Sequence, residues 1–452
     1  MVHAFSYKHK NKDLFFLWDV ESGSLHYIDE AAFLLYKKLY DVPMDVEEID
    51  KCDRISDFSK NEIVKEFEEL IRNNLLFTKP YITSFNKSLS HIKALCLHIC
   101  HDCNLSCKYC FAKDGTYNTE KDYMSFSVGK AAIDFLIGNS GNIKNLEVDF
   151  FGGEPLLNFD VVKQIVEYAK GRAEQVSKKI DFTLTTNCIN LSEDIREFLN
   201  REMVNVVLSI DGRKETHDKV RCTRSGVSVY DHILNNALSF VNIRGEKKYY
   251  VRGTYTSENL FFSKDVLFLN DAGFSQISFE PVVLPEENDL CIKTEDISCI
   301  KNEYHNLAEE YLERRKTKKW FNFFHYMIDL EKGPCINKRL TGCGAGVEYL
   351  AVSPTGEIYP CHQFVGKPEY YLGNVFIGEL DLDIRTIFSK NTIFSKPHCS
   401  NCFAKYYCGG GCVANSVNFS GNIDGHYEIG CELSRIRLEN SLAIWAIEKY
   451  DL

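Results

Sequence analysis

Cys103, Cys107 and Cys110 stand in the stretch CHDCNLSCKYCFA, residues 100–112, with C-x3-C-x2-C spacing. Thiolates are soft ligands that hold zinc or iron–sulfur clusters. Three of them can hold three irons of a cubane. No fourth cysteine follows at matching spacing, so the fourth iron stays open as a place for chemistry. The competing reading is a zinc knuckle or a buried thiol cluster. Position argues against it. ALCLHIC, residues 94–100, is an apolar run without helical period, and the cysteines fall in the polar loop after it. Catalytic groups of α/β folds sit on such loops, at the carboxyl ends of strands.

After residue 330 the cysteines crowd again. The run is Cys335, Cys343, Gly356-x4-Cys361, Cys399-x2-Cys402-x5-Cys408-x3-Cys412 and Cys431. That many thiolates suit two cubane clusters, each held by up to four cysteines. A tandem zinc site is the alternative, because C-x2-C pairs also bind zinc. Cys52, Cys96, Cys100, Cys188, Cys222, Cys291 and Cys299 show no paired spacing. They read as small buried apolar side chains. His98, His101 and His362 flank cluster cysteines and read as hydrogen-bond donors around them rather than ligands.

The elements that must position these residues follow an alternating pattern. After ALCLHIC, strand-like runs recur at LEVDFFGGEPL (146–156), IDFTLTTN (180–187), VNVVLSIDG (204–212), KYYVRGTYT (248–256) and QISFEPVV (276–283). Helical spacing marks 159–176, 192–202, 230–241, 265–273 and the charged stretch 295–320. Six strands alternating with helices predict an α/β fold, a partial (β/α)6 barrel open on one side. Gly152, Gly153 and Glu154 end the second strand, and glycine lets a backbone approach a ligand closely. Taken alone, paired glycines mark only a tight turn. Asn187 ends the third strand, Ser209 and Asp211 the fourth, and Arg221 follows in HDKVR. An arginine fork suits a carboxylate, while the bland reading of each is an ordinary surface polar residue.

Residues 1–80 read as a separate module of three short β-like runs and about three helices, with a winged-helix-like layout. Its plain reading is a stabilising appendage. Residues 81–93 read as a linker, 94–320 as the core and 321–452 as a cysteine-rich C-terminal domain. The length of 452 residues accommodates this division. A net charge of −11 excludes a nucleic-acid binder that relies on a broad basic surface. No apolar run reaches the length of a membrane span, and MVHAFSYKHKNKD lacks the apolar core of a signal peptide. Eighteen cysteines without a secretion signal point to metal or redox use in an oxygen-poor cytoplasm rather than to disulfides.

The first cysteine run, with Tyr109 as the aromatic of C-x3-C-x-aromatic-C, resembles the signature of radical S-adenosylmethionine (radical SAM) enzymes. The C-terminal pattern resembles the SPASM domain that carries auxiliary clusters. Over the whole chain the likeness is to thioether-forming maturases of SCIFF and ranthipeptides. It is carried by WDVESGSLHYID, CLHICHDCNLSCKYCFA, FFGGEPLLNF, GPCINKRLTGCGAG and GEIYPCHQFVG.

The resemblance implies three 4Fe-4S clusters and SAM as cofactors. Cys103, Cys107 and Cys110 would be catalytic, holding the SAM-binding cluster. Tyr109, Gly152, Gly153, Glu154, Asn187, Ser209 and Arg221 would surround SAM, with Glu154 at its ammonium, Ser209 at the ribose and Arg221 at its carboxylate. Cys399, Cys402, Cys408 and Cys431 would hold the distal auxiliary cluster, and Cys343, Cys361 and Cys412 the other. Cys335 is its candidate fourth ligand, at a longer spacing than in sulfatase-maturase relatives. The N-terminal module resembles a RiPP recognition element, PqqD-like, which binds the leader of a precursor peptide by strand addition at SLHYID or its neighbour.

The implied partners are a cysteine-containing precursor peptide and an electron donor such as flavodoxin or ferredoxin, with no nucleic acid and no membrane. The implied reaction is a thioether cross-link between a cysteine sulfur and a carbon of an acceptor residue, initiated by hydrogen abstraction by a 5'-deoxyadenosyl radical. The alternatives are another SPASM oxidation, formylglycine formation or a carbon–carbon cross-link, and, from another class, a non-catalytic iron–sulfur scaffold that docks a peptide.

Overall fold

The structure, a computed structural model, describes residues 1–333 and 335–452. The N-terminal residues form an antiparallel sheet in the order β1 (Val2–His9), β2 (Lys12–Asp19), β3 (Ser24–Ile28). Three helices follow, α1 (Glu30–Leu39), α2 (Val46–Asp53) and α3 (Asp57–Arg72). Each starts on a side chain that accepts an otherwise orphaned N–H: Asp29 from Ala32, Asp45 from Glu48 and Ser56 from Ser59. Glu48 reaches back to the Asp45 N–H and closes a capping box.

The central region alternates strand and helix. Its elements are β4 (Ala94–Cys100), α4 (Phe126–Asn139), β5 (Asn145–Gly152), α5 (Phe159–Gln175), β6 (Lys179–Thr186), α6 (Glu193–Glu202) and β7 (Met203–Ser209). They continue with α7 (Lys214–Val220), α8 (Tyr230–Arg244), β8 (Tyr249–Tyr255), α9 (Ser263–Ala272), β9 (Gln276–Pro281) and α10 (Ile297–Arg315). Strands β4 to β9 lie side by side in chain order, all parallel. This is the α/β architecture the alternation predicts. Every residue of β4 is buried, as befits a parallel strand covered on both faces. Leu95, Leu97 and Ile99 join Val148, Phe150 and Leu184 in the main core. Cys96 belongs to a second core with Tyr117, Cys361 and Phe364, so the opposite face of β4 looks toward the C-terminal cysteines. Ser192 stands at the N-cap of α6, but its hydroxyl turns to Asp194 and caps no helix N–H.

The remaining elements are β10 (Asn322–Phe323), α11 (Ile336–Thr341), β11 (Tyr349–Val352), β12 (Glu357–Tyr359), β13 (Gly373–Asn374), α12 (Leu382–Ser389), α13 (Pro397–Ser400), α14 (Lys405–Cys408), α15 (Val413–Ser420) and α16 (Glu428–Tyr450). They do not form a layer apart from the central sheet. Strand β10 pairs in parallel with β9, and β11 pairs in parallel with β4. Strands β12 and β13 then extend the same sheet. Backbone hydrogen bonds therefore cross the 320–321 boundary at both edges, and edges that would otherwise be unpaired are covered. Helix α16 packs Leu433, Ile436, Ala443 and Ile447 into the same core as Tyr304, Leu307 and Tyr311 of α10. No helix among the described residues is long and apolar enough to cross a membrane.

Candidate active site

The loop that carries the first three cysteines hangs from the carboxyl end of β4 and is held by the end of β5. The Gly153 N–H donates to the Cys100 carbonyl at 2.9 Å, and the Glu154 N–H to the Asp102 carbonyl at 2.9 Å. A methyl group at Gly153 would meet the Asp102 oxygen at 1.9 Å, and one at Gly152 would meet the Cys100 oxygen at 2.4 Å. Gly115 closes on the same spot, with Cys103 Cβ 3.0 Å from where its own Cβ would lie. The paired glycines thus make room for the cysteine loop's own backbone, a nearer cause than the ligand approach read from the sequence. On its far side the loop pairs with the Arg221 segment, Ser106 N–H to Cys222 O at 2.8 Å and Lys108 N–H to Val220 O at 2.9 Å.

Polar groups from successive strand ends converge on this loop. Asn187, past the end of β6, places Nδ2 3.7 Å from Cys103 Sγ and donates to Asn104 Oδ1 at 2.7 Å. Arg221 places Nη1 3.9 Å from Cys107 Sγ, and its Nε donates to Asp211 at 2.9 Å. Tyr109 donates its hydroxyl to the same Asp211 carboxylate at 2.5 Å, and the Arg221 guanidinium lies 5.5 Å from its ring centre. Asp211 is fully buried and also accepts the Thr254 N–H at 2.9 Å. It is therefore the hub that orients both side chains, a role its place at a strand end did not reveal. Ser209 ends β7 in register with Arg252 of β8.

Glu154 is buried and accepts from Asn187 N–H at 2.7 Å, Thr186 Oγ1 at 2.9 Å and Leu156 N–H at 3.1 Å. Burial pushes its carboxyl up to about 7, against the pull of those donors and of Arg221. Burial also pushes the Cys103 and Cys107 thiols up to about 12.

This donor set fits the group the cysteine run implies. A buried carboxylate without a neighbouring ammonium, beside an arginine with terminal nitrogens on the cysteine side, matches the charged ends of an amino acid. Among the described residues, no three or more His, Cys, Asp or Glu gather as ligands of one metal ion.

The C-terminal cysteines sort into two groups by which thiols act on one another. Cys361 feels Cys412 and Cys343, and Cys412 feels Cys343. Cys399 feels Cys408 and Cys402, and Cys431 feels Cys408 and Cys399. Cys335 is exposed at the N-cap of α11. The Lys396 ammonium, buried and bound to Ser416 Oγ at 3.0 Å and to the Gly425 carbonyl at 2.9 Å, lies in the field of Cys399, Cys408 and Cys431. Such a cation suits a set of four thiolates.

His98 and His101 bond to each other, His98 Nδ1 to His101 Nε2 at 3.1 Å, and His101 Nδ1 meets Thr119 Oγ1 at 2.7 Å. Rings of His98, Phe151 and His362 bridge the two cysteine regions, with centroids 6.1 and 5.1 Å apart.

Comparison with known proteins supports the same reading. The 4Fe-4S single cluster domain family matches residues 94–229. The chain is 24% identical over 454 residues to the radical SAM cyclopropyl synthase TigE of Paramaledivibacter caminithermalis, covering 94% of this chain and 92% of that protein. It is 24% identical to a cysteine-type anaerobic sulfatase-maturating enzyme of Clostridium novyi, over 76% of this chain and 93% of that one. Among solved structures, native anSMEcpe with bound AdoMet and Cp18Cys peptide superposes with a TM-score of 0.65 at 19% identity, covering 80% of this chain and 100% of that one. At that identity the likeness speaks for the fold.

Proposed function

We propose that this chain, a peptide-modifying radical SAM enzyme of the SPASM type, installs thioether cross-links in a ribosomally made precursor peptide. The observation that carries the reading is the buried constellation at the first cysteine loop. Glu154, Asn187 and Arg221 surround Cys103 and Cys107, and Asp211 fixes the arginine. Bound there, SAM and its cluster would supply a 5'-deoxyadenosyl radical able to remove one hydrogen atom from the peptide.

The protein's own groups do the holding. Glu154 would take the SAM ammonium and Arg221 the carboxylate. Asn187 bridges Cys103 and Asn104, and Tyr109 packs against the guanidinium. No side chain has to act as a strong acid or base in the abstraction itself.

A thioether forms when a cysteine S–H and a carbon C–H are replaced by a C–S bond. One hydrogen leaves in 5'-deoxyadenosine, and a proton and an electron leave separately. The two C-terminal cysteine sets would offer that electron a way out, and an external donor such as flavodoxin or ferredoxin would supply the electron that cleaves SAM. Cys343, Cys361 and Cys412 would hold the nearer auxiliary cluster with Cys335 as candidate fourth ligand, and were Cys335 not to reach it, the open iron would take the substrate cysteine. Residues 1–80 would bind the leader at the edge of β3, residues 81–93 would link them to the radical SAM core at 94–320, and 321–452 would form the SPASM region. The enzyme would work in the cytoplasm.

The test is reconstituted enzyme with SAM, reductant and a cysteine-rich precursor, followed by tandem mass spectrometry. The expected result is 5'-deoxyadenosine together with loss of two hydrogens per cross-link and retention of sulfur. Formylglycine formation from cysteine would remove the sulfur instead. Fully loaded protein that releases no 5'-deoxyadenosine would be a scaffold, and the proposal would fall.

A further inference from the structure

The five residues between Cys402 and Cys408, Phe403 to Tyr407, form the loop and short helix that join two members of the four-cysteine set. Four of them touch the N-terminal module. His3 of β1 stacks on Phe403 with ring centres 3.5 Å apart and planes 4° from parallel. Glu21, in the turn between β2 and β3, binds Lys405 Nζ through Oε1 at 2.7 Å and accepts the Tyr406 hydroxyl through Oε2 at 2.7 Å. Both charged side chains are withdrawn from water, Glu21 to 3% and Lys405 to 11% exposure. The buried Trp18 ring of β2 lies 6.1 Å from Tyr407. The fifth residue, Ala404, is buried beneath.

The turn that presents Glu21 is itself fixed. Asp19, fully buried, accepts the N–H groups of Glu21 at 3.0 Å, Ser22 at 3.1 Å and Thr78 at 2.9 Å. His3 is anchored from the other side by Glu439 of α16 at 2.9 Å, on the helix that also carries Cys431. Exposed linker-joined modules touch through polar surface as a rule. Here a buried ion pair and a ring stack converge on one cluster-binding loop.

We infer that Glu21 of the N-terminal module is a positioning residue for the distal auxiliary cluster, acting through Lys405 and Tyr406 to fix the Cys402–Cys408 loop and set the charge beside it. The inference rests on the reading that Cys399, Cys402, Cys408 and Cys431 hold that cluster. Lys405 opens the short helix that ends in Cys408, so its charge lies beside the set. A cluster gains negative charge on reduction, so its potential depends on the net charge around it. Glu21 offsets the Lys405 cation. Because β3 begins three residues after Glu21, a strand seated on its edge would lie next to this clamp.

The test is a potentiometric EPR titration of the loaded enzyme. Glu21→Gln removes the carboxylate charge and leaves Lys405 uncompensated. One auxiliary midpoint potential should rise while that of the SAM-binding cluster stays fixed. Lys405→Met should lower the same potential, and the double variant should return toward the wild-type value. A merely structural contact would not give opposite signs. Equal midpoint potentials in wild type and Glu21→Gln overturn the inference. Should Glu21→Gln not fold, Lys405→Met decides alone, and an unshifted potential overturns it. Cys402→Ala separates the premise: iron content equal to wild type would mean that this set holds no cluster, and the inference would go with it.

Discussion

The two cysteine regions differ in what holds them in place. The first is built by the sheet. Cys103, Cys107 and Cys110 sit in a loop bonded through its backbone to the ends of β4 and β5 and to the Arg221 segment. The second rides on short pieces. Helices α13 and α14, which carry Cys399 and Cys408, have four residues each, far below the length at which a helix stands unaided. Cys335, Cys343 and Cys412 are exposed. The first region is preorganised for a ligand. If the second holds clusters as proposed, its short helices and exposed thiols would gain order from them, as small metal-binding domains do.

The largest effects should separate the regions by function. Cys103→Ala, Cys107→Ala or Cys110→Ala should abolish 5'-deoxyadenosine release, while iron retained by the C-terminal sets stays near its wild-type amount. Cys408→Ala should do the reverse, leaving SAM cleavage measurable and stopping peptide oxidation. Iron analysis alongside product assay checks both, and SAM cleavage surviving in the Cys107 variant would sink the division of labour.

Next in size is the loss of the hub. Asp211→Asn leaves the Arg221 charge buried beside Tyr109 without its partner, and breaking a buried pair costs about 3–5 kcal/mol. SAM binding should weaken by at least tenfold as the guanidinium loses its orientation. Isothermal titration with SAM measures the one, and denaturant unfolding the other.

Metal removal should then act locally. Chelation ought to raise hydrogen exchange across residues 397–420 and leave β4 to β9 protected. Uniform exposure of the sheet would show that both regions depend on metal alike.

Glu154 makes the preorganised region sensitive to pH. Its carboxyl is raised from 4.5 to about 7 by burial. The folded state therefore holds its proton more tightly than the unfolded chain. Below about 4.5 both states are protonated and this group costs nothing. Stability falls as pH climbs from about 4.5 to about 7, by about 3 kcal/mol in all, and stays lowered above. Saturating SAM should suppress the fall, since its ammonium compensates the carboxylate, and Glu154→Gln should remove it. Unfolding curves of loaded enzyme across that pH range decide the matter. A fall unchanged in Glu154→Gln would assign it to another group.

What the chain reveals before folding follows the range of the interaction involved. The cysteine runs, the alternation of strand and helix and the polar strand ends are local patterns, and the parallel sheet from β4 to β9 follows them. The pairing of β11 with β4 is non-local and leaves no local mark. Neither does the meeting of Glu21 with Lys405, which are 384 positions apart. Asp211 was visible at its strand end, but its two partners come from a different loop and a different helix end. The nearest neighbour of the paired glycines, the Cys100–Asp102 backbone, is distant in sequence and leaves no local mark either.

The close fit of β5 to the cysteine loop yields the smallest effect and the sharpest contrast. Gly153 has no left-handed backbone angle, so alanine there meets no conformational penalty, only the Asp102 oxygen at 1.9 Å. That oxygen belongs to backbone and cannot swing aside. The loop must shift, at about 1–3 kcal/mol for overpacking, and the shift falls next to Cys103. Gly153→Ala should thus lower occupancy of the SAM-binding cluster and spare the auxiliary ones. Gly138→Ala, in α4 with open space around the added methyl, should leave both unchanged and gain the ordinary helix preference of alanine over glycine, about 1 kcal/mol. If Gly153→Ala binds SAM and loads its cluster as the wild type does, then the close fit between β5 and the cysteine loop is not what places the first three thiols.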